Sequence, residues 1–458
     1  MKTEIVFGDR WIEAEFPDTA KLVSPGYGLA KLDPAEDQEG IVEGGIKNPI
    51  DMDPLSDFVR RDWKITIAFD DPTVPCFGPV WVMAFRSVLD ELRRAGVAKS
   101  NIKLICANAL HRKFRMQELE KILGSEVIET FSGRIICHDA EDRENTVTLG
   151  ETAEGYPVEV NRALIDSDLT IYINTFASAF NGGWKSICVG LSTWNTIRCH
   201  HTPEAMSMSA ERNPMHEILS KMGEVVKSEL KREIFKVETV MANPFQVSKV
   251  FAGTIDKCRE EVMKIWKERA KRRRDLLDEK ADVVCYGVPD WSPYAAFSKM
   301  NPLLTLISTG LGYLGGVIEG IGKRGCDVIL ATPCPNQWYT VAHASYPEVW
   351  EILGELRDPN EIMERYEGYY ANHAEYIAKY RHHYAFHPVH GLMATFPLKR
   401  LNHASRVIVA GIEEPKLAEH LGFLYAPTVE KAVEIAQEQH GRDASIAVVK
   451  YPLMLSRQ

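Results

Sequence analysis

Residues 64–107 read KITIAFDDPTVPCFGPVWVMAFRSVLDELRRAGVAKSNIKLICA. Two β-rich runs, Lys64–Phe69 and Ile102–Ala107, bracket a segment in which Val82, Phe85, Val88, Leu89 and Leu92 recur at helical spacing. Gly96 stands where a helix C-terminal cap belongs. Strand, helix and strand in this order make a parallel βαβ unit. Outward from it, Leu169–Ile173, Asp282–Tyr286, Asp327–Ala331, Arg406–Val409 and Ser445–Val449 read as further strands alternating with amphipathic helices. The expected fold class is therefore α/β, with mainly parallel sheets flanked by helices.

A charged helical segment, Ile255–Lys280, separates the earlier strands from the later ones. Its run Lys271-Arg272-Arg273-Arg274 is expected to be a solvated face. A domain boundary is placed near residue 275, giving an N-terminal domain 1–275 and a C-terminal domain 276–458, with the active site expected in the cleft between them. A chain of 458 residues is too long for one core, which agrees with more than one domain.

The net charge of −10 argues against nucleic acid or an anionic membrane as the main partner. The start, MKTEIVFGDRWIEAEF, has acids where a secretory signal needs an apolar core. No apolar run is read as reaching the length of a membrane helix, roughly 18 residues. Nine cysteines without a CxxC pair point to thiols in a reducing compartment rather than to a disulfide frame. A soluble, cytoplasmic protein is expected.

In open α/β sheets, ligands bind beyond the carboxyl ends of the strands. After the first strand come Asp70-Asp71-Pro72-Thr73, and after the second Asn108-Ala109-Leu110-His111-Arg112. After the third come Asn174-Thr175-Phe176, leading into Gly182-Gly183-Trp184-Lys185 and then Cys199-His200-His201. A carboxylate, a histidine–arginine pair, a lysine and a double histidine thus gather on one edge. Each has a plainer reading: Asp71 as a capping carboxylate, His111 as a satisfied half-buried ring, Lys185 as a solvated residue after a glycine turn. Two other features compete. Gly310-Leu311-Gly312-Tyr313-Leu314-Gly315 fits G-x-G-x-x-G and an NAD-dependent oxidoreductase, but Thr332-Pro333-Cys334 after the next strand offers no acid for a ribose. Residues 301–322 read equally well as one glycine-interrupted helix packed on a sheet. His382, His383, His387 and His390 lack nearby acids or cysteines and fit surface or packing roles better than a metal site.

In order along the chain stand Lys47-Asn48-Pro49-Ile50 before Pro54-Leu55, then Asp71-x-Thr73, His111-Arg112 and His138-Asp139 ahead of Thr148-Leu149-Gly150. Gly182-Gly183-x-Lys185 follows, with His201 sixteen residues on, then Pro289 with Lys299 ten residues on, and the tail VEKAVEIAQEQHGRDASIAVVKYP. This ordered set resembles the lactate racemase family, whose enzymes use a nickel-pincer nucleotide. The resemblance implies that Lys185 tethers the cofactor, that His201 ligates nickel, and that His111 is the general base taking a hydroxyl proton as hydride moves to the cofactor. It groups Arg112 and Lys299 with His111 as catalytic. Asp71, Thr73, Gly182 and Gly183 fall with Lys185 as cofactor-binding, the glycines admitting a bulky nucleotide. It also implies a dependence on the enzymes that make the cofactor.

Departures from the pattern fall in the implied substrate pocket. A second histidine is expected at Thr175, and an arginine to clamp a carboxylate at Val74. A Tyr-Gln pair is expected at Ala295-Ala296, with Tyr294 one residue earlier, and a basic residue at Trp184. Losing a bidentate arginine costs on the order of 2–5 kcal/mol if the carboxylate stays buried without a replacement. The expected activity is therefore a racemase or epimerase of a 2-hydroxy acid other than lactate. The alternatives are a one-base hydride-transfer oxidoreductase with the same cofactor, or a non-catalytic cofactor- or nickel-binding protein. The role of His200 is left open.

Overall fold

The computed structural model describes residues 1–23, 32–76, 78–206, 213–274 and 279–452, without the side chains of 269–274. The domain boundary expected near residue 275, and the side chains of the Lys271–Arg274 run, lie outside the described residues. The chain forms two compact units, Tyr27–Ala270 on one hand and Met1–Gly26 with Lys271–Gln458 on the other.

The chain begins with β1 (Lys2–Phe7), β2 (Arg10–Glu15) and β3 (Ala20–Val23). The Tyr27–Ala270 unit then contributes β4 (Ile65–Asp70), β5 (Ile102–Ala107), β6 (Ile135–Cys137), β7 (Thr146–Glu151), β8 (Pro157–Asn161), β9 (Leu169–Phe176), β10 (Phe235–Asn243) and β11 (Gln246–Gly253). The rest of the chain carries β12 (Ala281–Gly287), β13 (Gly322–Ala331), β14 (Arg406–Ala410), β15 (Leu424–Ala426) and β16 (Ile446–Val449). All seven strands expected from the sequence are among them.

In the Tyr27–Ala270 unit a six-stranded sheet runs β11-β10-β9-β4-β5-β6, parallel except for the β10–β11 hairpin. Every residue of β4 and β9 is buried, as expected of central parallel strands covered on both faces. The βαβ helix, Val80–Arg94, packs onto the sheet through Phe85 and Trp81, both set edge-to-face on Phe69 with centroids 5.4 and 6.4 Å away. Gly96 ends that turn at a left-handed φ of 80°. From β4 the chain first winds outward to β5 and β6, then returns to place β9 on the other side of β4. The strand order thus reverses between β4 and β9, which is where a doubly wound sheet opens a crevice.

The second unit holds a six-stranded, all-parallel sheet, β15-β14-β13-β12-β16-β3. Its edge strand β3 comes from the chain's N-terminus, and Ile5, Phe7, Ala14 and Phe16 share a core with Val283, Ile329, Ile408 and Ile446. The sequence reading grouped residues 1–26 with the N-terminal domain; in the structure they fold with 271–458.

The segment Gly310–Gly315 lies inside one wide helix, Leu303–Leu314, that follows the i→i+5 pattern, and is not a strand-to-helix turn. A Cβ on Gly310 would meet the Thr305 carbonyl at 2.8 Å and Leu330 at 3.2 Å. The Tyr286 hydroxyl donates to the Gly310 carbonyl at 2.8 Å. These glycines therefore serve close packing of a helix on β12 and β13, and the dinucleotide reading loses its structural context. The sequence reading also found no apolar run of membrane-spanning length. Among the described residues one helical stretch, Leu303–Ile321, reaches 19 residues with a mean hydropathy of 1.3, and 72% of it is buried within the structure. That burial marks it as a core helix.

Candidate active site

The crevice between β4 and β9 is lined by the residues that leave those strands. Asp71 is the first residue beyond β4. Its Oδ1 accepts the Thr73 N–H at 2.7 Å and its Oδ2 lies 2.6 Å from Nδ1 of His111, with the Thr73 hydroxyl 3.3 Å from the same nitrogen. Burial alone would raise the Asp71 carboxyl; the charge of His111 and hydrogen bonds from His111 and Thr73 outweigh it and hold it below the usual carboxylate value. An ionised Asp71 can only accept, so Nδ1 of His111 carries the proton and Nε2 is the basic nitrogen of the neutral ring. A carboxylate that fixes the tautomer of a half-buried histidine is the arrangement of an oriented general base.

The turn after β5 delivers His111. Ala109 takes a left-handed φ of 48°. The His111 N–H donates to the Asn108 carbonyl at 2.6 Å, and the Asn108 side chain donates back to the His111 carbonyl at 3.0 Å. Arg112, expected to be catalytic, is committed to this scaffold. It is 3% exposed, forms a two-point ion pair with Glu118 at 2.9 and 3.0 Å, and lies 4.4 Å over the Phe114 ring. These contacts tie it to the loop that presents His111.

On the other side of the crevice, the segment after β9 carries the Gly-Gly turn. Gly182 and Gly183 have φ of 79° and 59°, a region L side chains avoid. A Cβ on Gly182 would fall 2.7 Å from the Glu238 carboxylate, and one on Gly183 would fall 3.1 Å from Arg259. The glycines thus admit the protein's own charged side chains, whereas the sequence reading explained them by a bulky nucleotide. Glu238 Oε1 accepts the Gly183 N–H at 2.7 Å, and Arg259 donates to the carbonyls of Ala179 (2.8 Å) and Asn181.

Lys185 follows, its Nζ 3.8 Å from the centroid of Phe180. Burial draws its ammonium down to about 8, against the pull of Asp70 and Asp71 upward and with Arg259 adding to the decrease. Phe180 and His201 meet edge-to-face, ring centroids 6.4 Å apart. Lys185 and His201 are therefore brought to one phenyl ring. Nδ1 of His201 lies 2.8 Å from Nδ1 of His200, so one of the two rings must donate and the other accept. Burial holds His200 neutral, with its value down to about 3. When His201 is the donor, its Nε2 presents a lone pair, the form in which a histidine ligates a metal. Among the described residues no group of three or more His, Cys, Asp or Glu could hold a metal.

The remaining expected pocket residues are placed as follows. Thr175 is 1% exposed; its hydroxyl accepts from Thr239 at 3.5 Å and its N–H donates to Asp70 at 2.8 Å. Val74 is half-buried in the turn closed by its N–H on the Asp71 carbonyl at 3.2 Å. Trp184 stacks on Gly223, where a Cβ would meet the indole at 2.3 Å, and donates Nε1–H to Asp256 at 2.8 Å. Tyr294, Ala296 and Lys299 belong to the second unit. There Tyr294 packs on His390 at 4.4 Å, Ala296 is buried and Lys299 is exposed.

Sequence reasoning missed four charged residues beneath this site. Burial pushes the Asp70 carboxyl above its usual value, opposed by the charge of Lys236 and by hydrogen bonds from the Thr175 N–H, Tyr172 (2.9 Å) and Asn174. Lys236 and Glu238 on β10 are wholly buried, 3.8 Å apart, and Lys236 stands 4.2 Å over the Tyr172 ring. Arg259 completes the set. Their only local signal was the pair Asp70-Asp71, of which Asp71 alone was singled out.

Comparison with known proteins follows the same lines. The family model described as "Lactate racemase N-terminal domain" matches residues 7–213. The lactate racemase of Lactiplantibacillus plantarum is 25% identical over 463 residues, covering 97% of both chains. That of Thermoanaerobacterium thermosaccharolyticum is 26% identical over 266 residues, 56% of this chain and 59% of that protein. The solved lactate racemase apoprotein from the latter organism superposes with a TM-score of 0.71 at 20% identity, covering 98% of each chain, a likeness of fold. Fold, ordered motifs and relatives thus agree in likening the chain to the lactate racemase family, whose N-terminal domain model its residues 7–213 match.

Proposed function

We propose that the protein is an isomerase that inverts a 2-hydroxy acid other than lactate, in the cytoplasm, with a nickel-pincer nucleotide attached at Lys185. The observation that carries this reading is Lys185 itself: an amine lowered to about 8, seated on the Phe180 ring that His201 also packs against. At pH 7.5 about a quarter of such an amine is neutral and nucleophilic, against about one part in a thousand for an ordinary lysine. The donor set fits the group: His201 can offer Nε2 as a neutral imidazole when its Nδ1 donates to His200, and Lys185 offers an amine. Lys185 would hold it and His201 would ligate its metal; when bound, the group supplies a hydride acceptor.

The chain's own chemistry is proton handling. Nε2 of His111 accepts the proton of the substrate hydroxyl, and the buried Asp71 carboxylate stabilises the imidazolium that results. Returning that proton, together with the hydride that the bound group would give back, restores the alcohol. At the position where the resemblance calls for a second base, the Thr175 hydroxyl is no base near neutral pH, so inversion through His111 alone needs the 2-oxo acid to turn over between the two transfers. Val74 offers no cation for a carboxylate, which favours a larger substrate anchored elsewhere over lactate.

The test is to incubate protein produced together with the cofactor-making enzymes with single enantiomers of 2-hydroxy acids and follow both enantiomers by chiral chromatography. Inversion of an acid larger than lactate is expected, falling 10²–10⁴-fold in His111→Ala. Lactate as the best substrate would contradict the assignment. Net accumulation of the 2-oxo acid without inversion would move it to a one-base oxidoreductase.

A further inference from the structure

Glu238 and Lys236 are consecutive residues of one face of β10, both wholly buried and 3.8 Å apart. They reach the chain on either side of Lys185. Glu238 takes the Gly183 N–H at 2.7 Å, two residues before it, and Lys236 donates to the hydroxyl of Ser186, the residue after it. Glu238 Oε2 is buried with no hydrogen-bond partner among the described residues, and the Gly182 Cα hydrogen faces that carboxylate. Isolated buried charges are costly, and a pair is held only where geometry repays desolvation. A pair that served only the core would not need to grip the two ends of a four-residue segment.

We propose that Glu238 and Lys236 form a positioning pair that fixes the backbone on both sides of Lys185 and keeps its amine in the pocket on Phe180. The inference rests on the reading of Lys185 as the attachment point. With the segment held, the partly buried Lys185 keeps its amine against Phe180, and desolvation there lowers its ammonium. The charged groups facing it are Asp70 and Asp71 from the end of β4 and Arg259 from the helix Ile255–Arg274, with the neutral His200 close by. Neither member of the pair touches the reacting atoms; both act through the loop.

The test uses the full chain without cofactor. Each lysine's acetylation rate with acetic anhydride is measured against pH, peptide by peptide, alongside the melting temperature. In the wild type Lys185 should titrate near 8. In Glu238→Ala the Lys185 midpoint should climb toward the ordinary lysine value of 10.5, lowering its rate at pH 8 at least tenfold, with the other lysines unchanged. Glu238→Gln keeps an acceptor for the Gly183 N–H and should stay within threefold of wild type. If Glu238→Ala does not fold, Ser186→Ala removes the other grip and should move the midpoint in the same direction by a smaller amount. A lowered melting temperature with an unmoved Lys185 midpoint in a folded variant would overturn the proposal, as would a wild-type Lys185 that titrates like the surface lysines. Failure of the attachment reading itself shows elsewhere, as the absence of added mass on Lys185 in cofactor-loaded protein, and leaves these profiles intact.

Discussion

His138 and His200 set a pH limit on the molecule. Burial takes both below the usual histidine value, to about 4 and about 3. His138 accepts from Asn161 at 3.1 Å and donates to the Ser192 carbonyl at 3.0 Å, which requires the neutral ring. The folded values lie under the unfolded one of 6.5, so the unfolded chain binds more protons between them. Stability is therefore full above pH 6.5 and falls as the pH drops, by up to about 1.4 kcal/mol per pH unit for each ring. Denaturant melts from pH 7 to 4.5 should show this decline, and His138→Gln should flatten part of it; a flat profile in the wild type would contradict the burial account. Among single residues the sequence singles out Asp71, Thr73, His111, Lys185 and His201, because strand ends are visible in a one-dimensional pattern. Lys236, Glu238 and Arg259 were hidden. Charged residues in a strand read as solvent-facing, and nothing local marks partners fifty or more residues away in the chain.

Among the elements, regular periodicity was legible and irregular geometry was not. The buried strands β4, β5, β9, β12, β13, β14 and β16 announced themselves as apolar runs, and the Val80–Arg94 helix by its spacing. β10 escaped because FKVETVMAN alternates like a half-exposed strand although its first eight residues are buried. The wide helix Leu303–Leu314 matched a nucleotide motif because glycines packed on a sheet and glycines that admit a pyrophosphate look alike in sequence. Gly310→Ala should therefore cost about 1–3 kcal/mol through its clash with the Thr305 carbonyl and Leu330, measured by chemical denaturation. Neither the wild type nor that variant should bind NADH in a fluorescence titration. Micromolar NADH affinity in the wild type, lost in the variant, would reverse the interpretation.

For the whole molecule, the sequence conveyed two α/β units but not which unit the N-terminus joins. β3 pairs in parallel with β16 at the edge of the second sheet, and no local signal foretells a partner at the far end of the chain. Removing residues 1–23 should strip the Ile5–Phe7–Phe16 face from that core and expose the edge of β16. Hydrogen exchange should then accelerate in β12, β13 and β16 while β4, β5 and β9 keep their protection; uniform acceleration of both sheets would contradict the division into units.

The proposed function requires Lys185 to carry a metal-bearing nucleotide. It is tested most directly by intact-protein mass together with nickel content, for wild type and Lys185→Ala produced alongside the cofactor-making enzymes. The account predicts a discrete mass gain with about one nickel per chain in the wild type, and loss of the covalent gain in the variant. An unmodified wild-type mass, with neither nickel nor a co-purifying nucleotide, would contradict it.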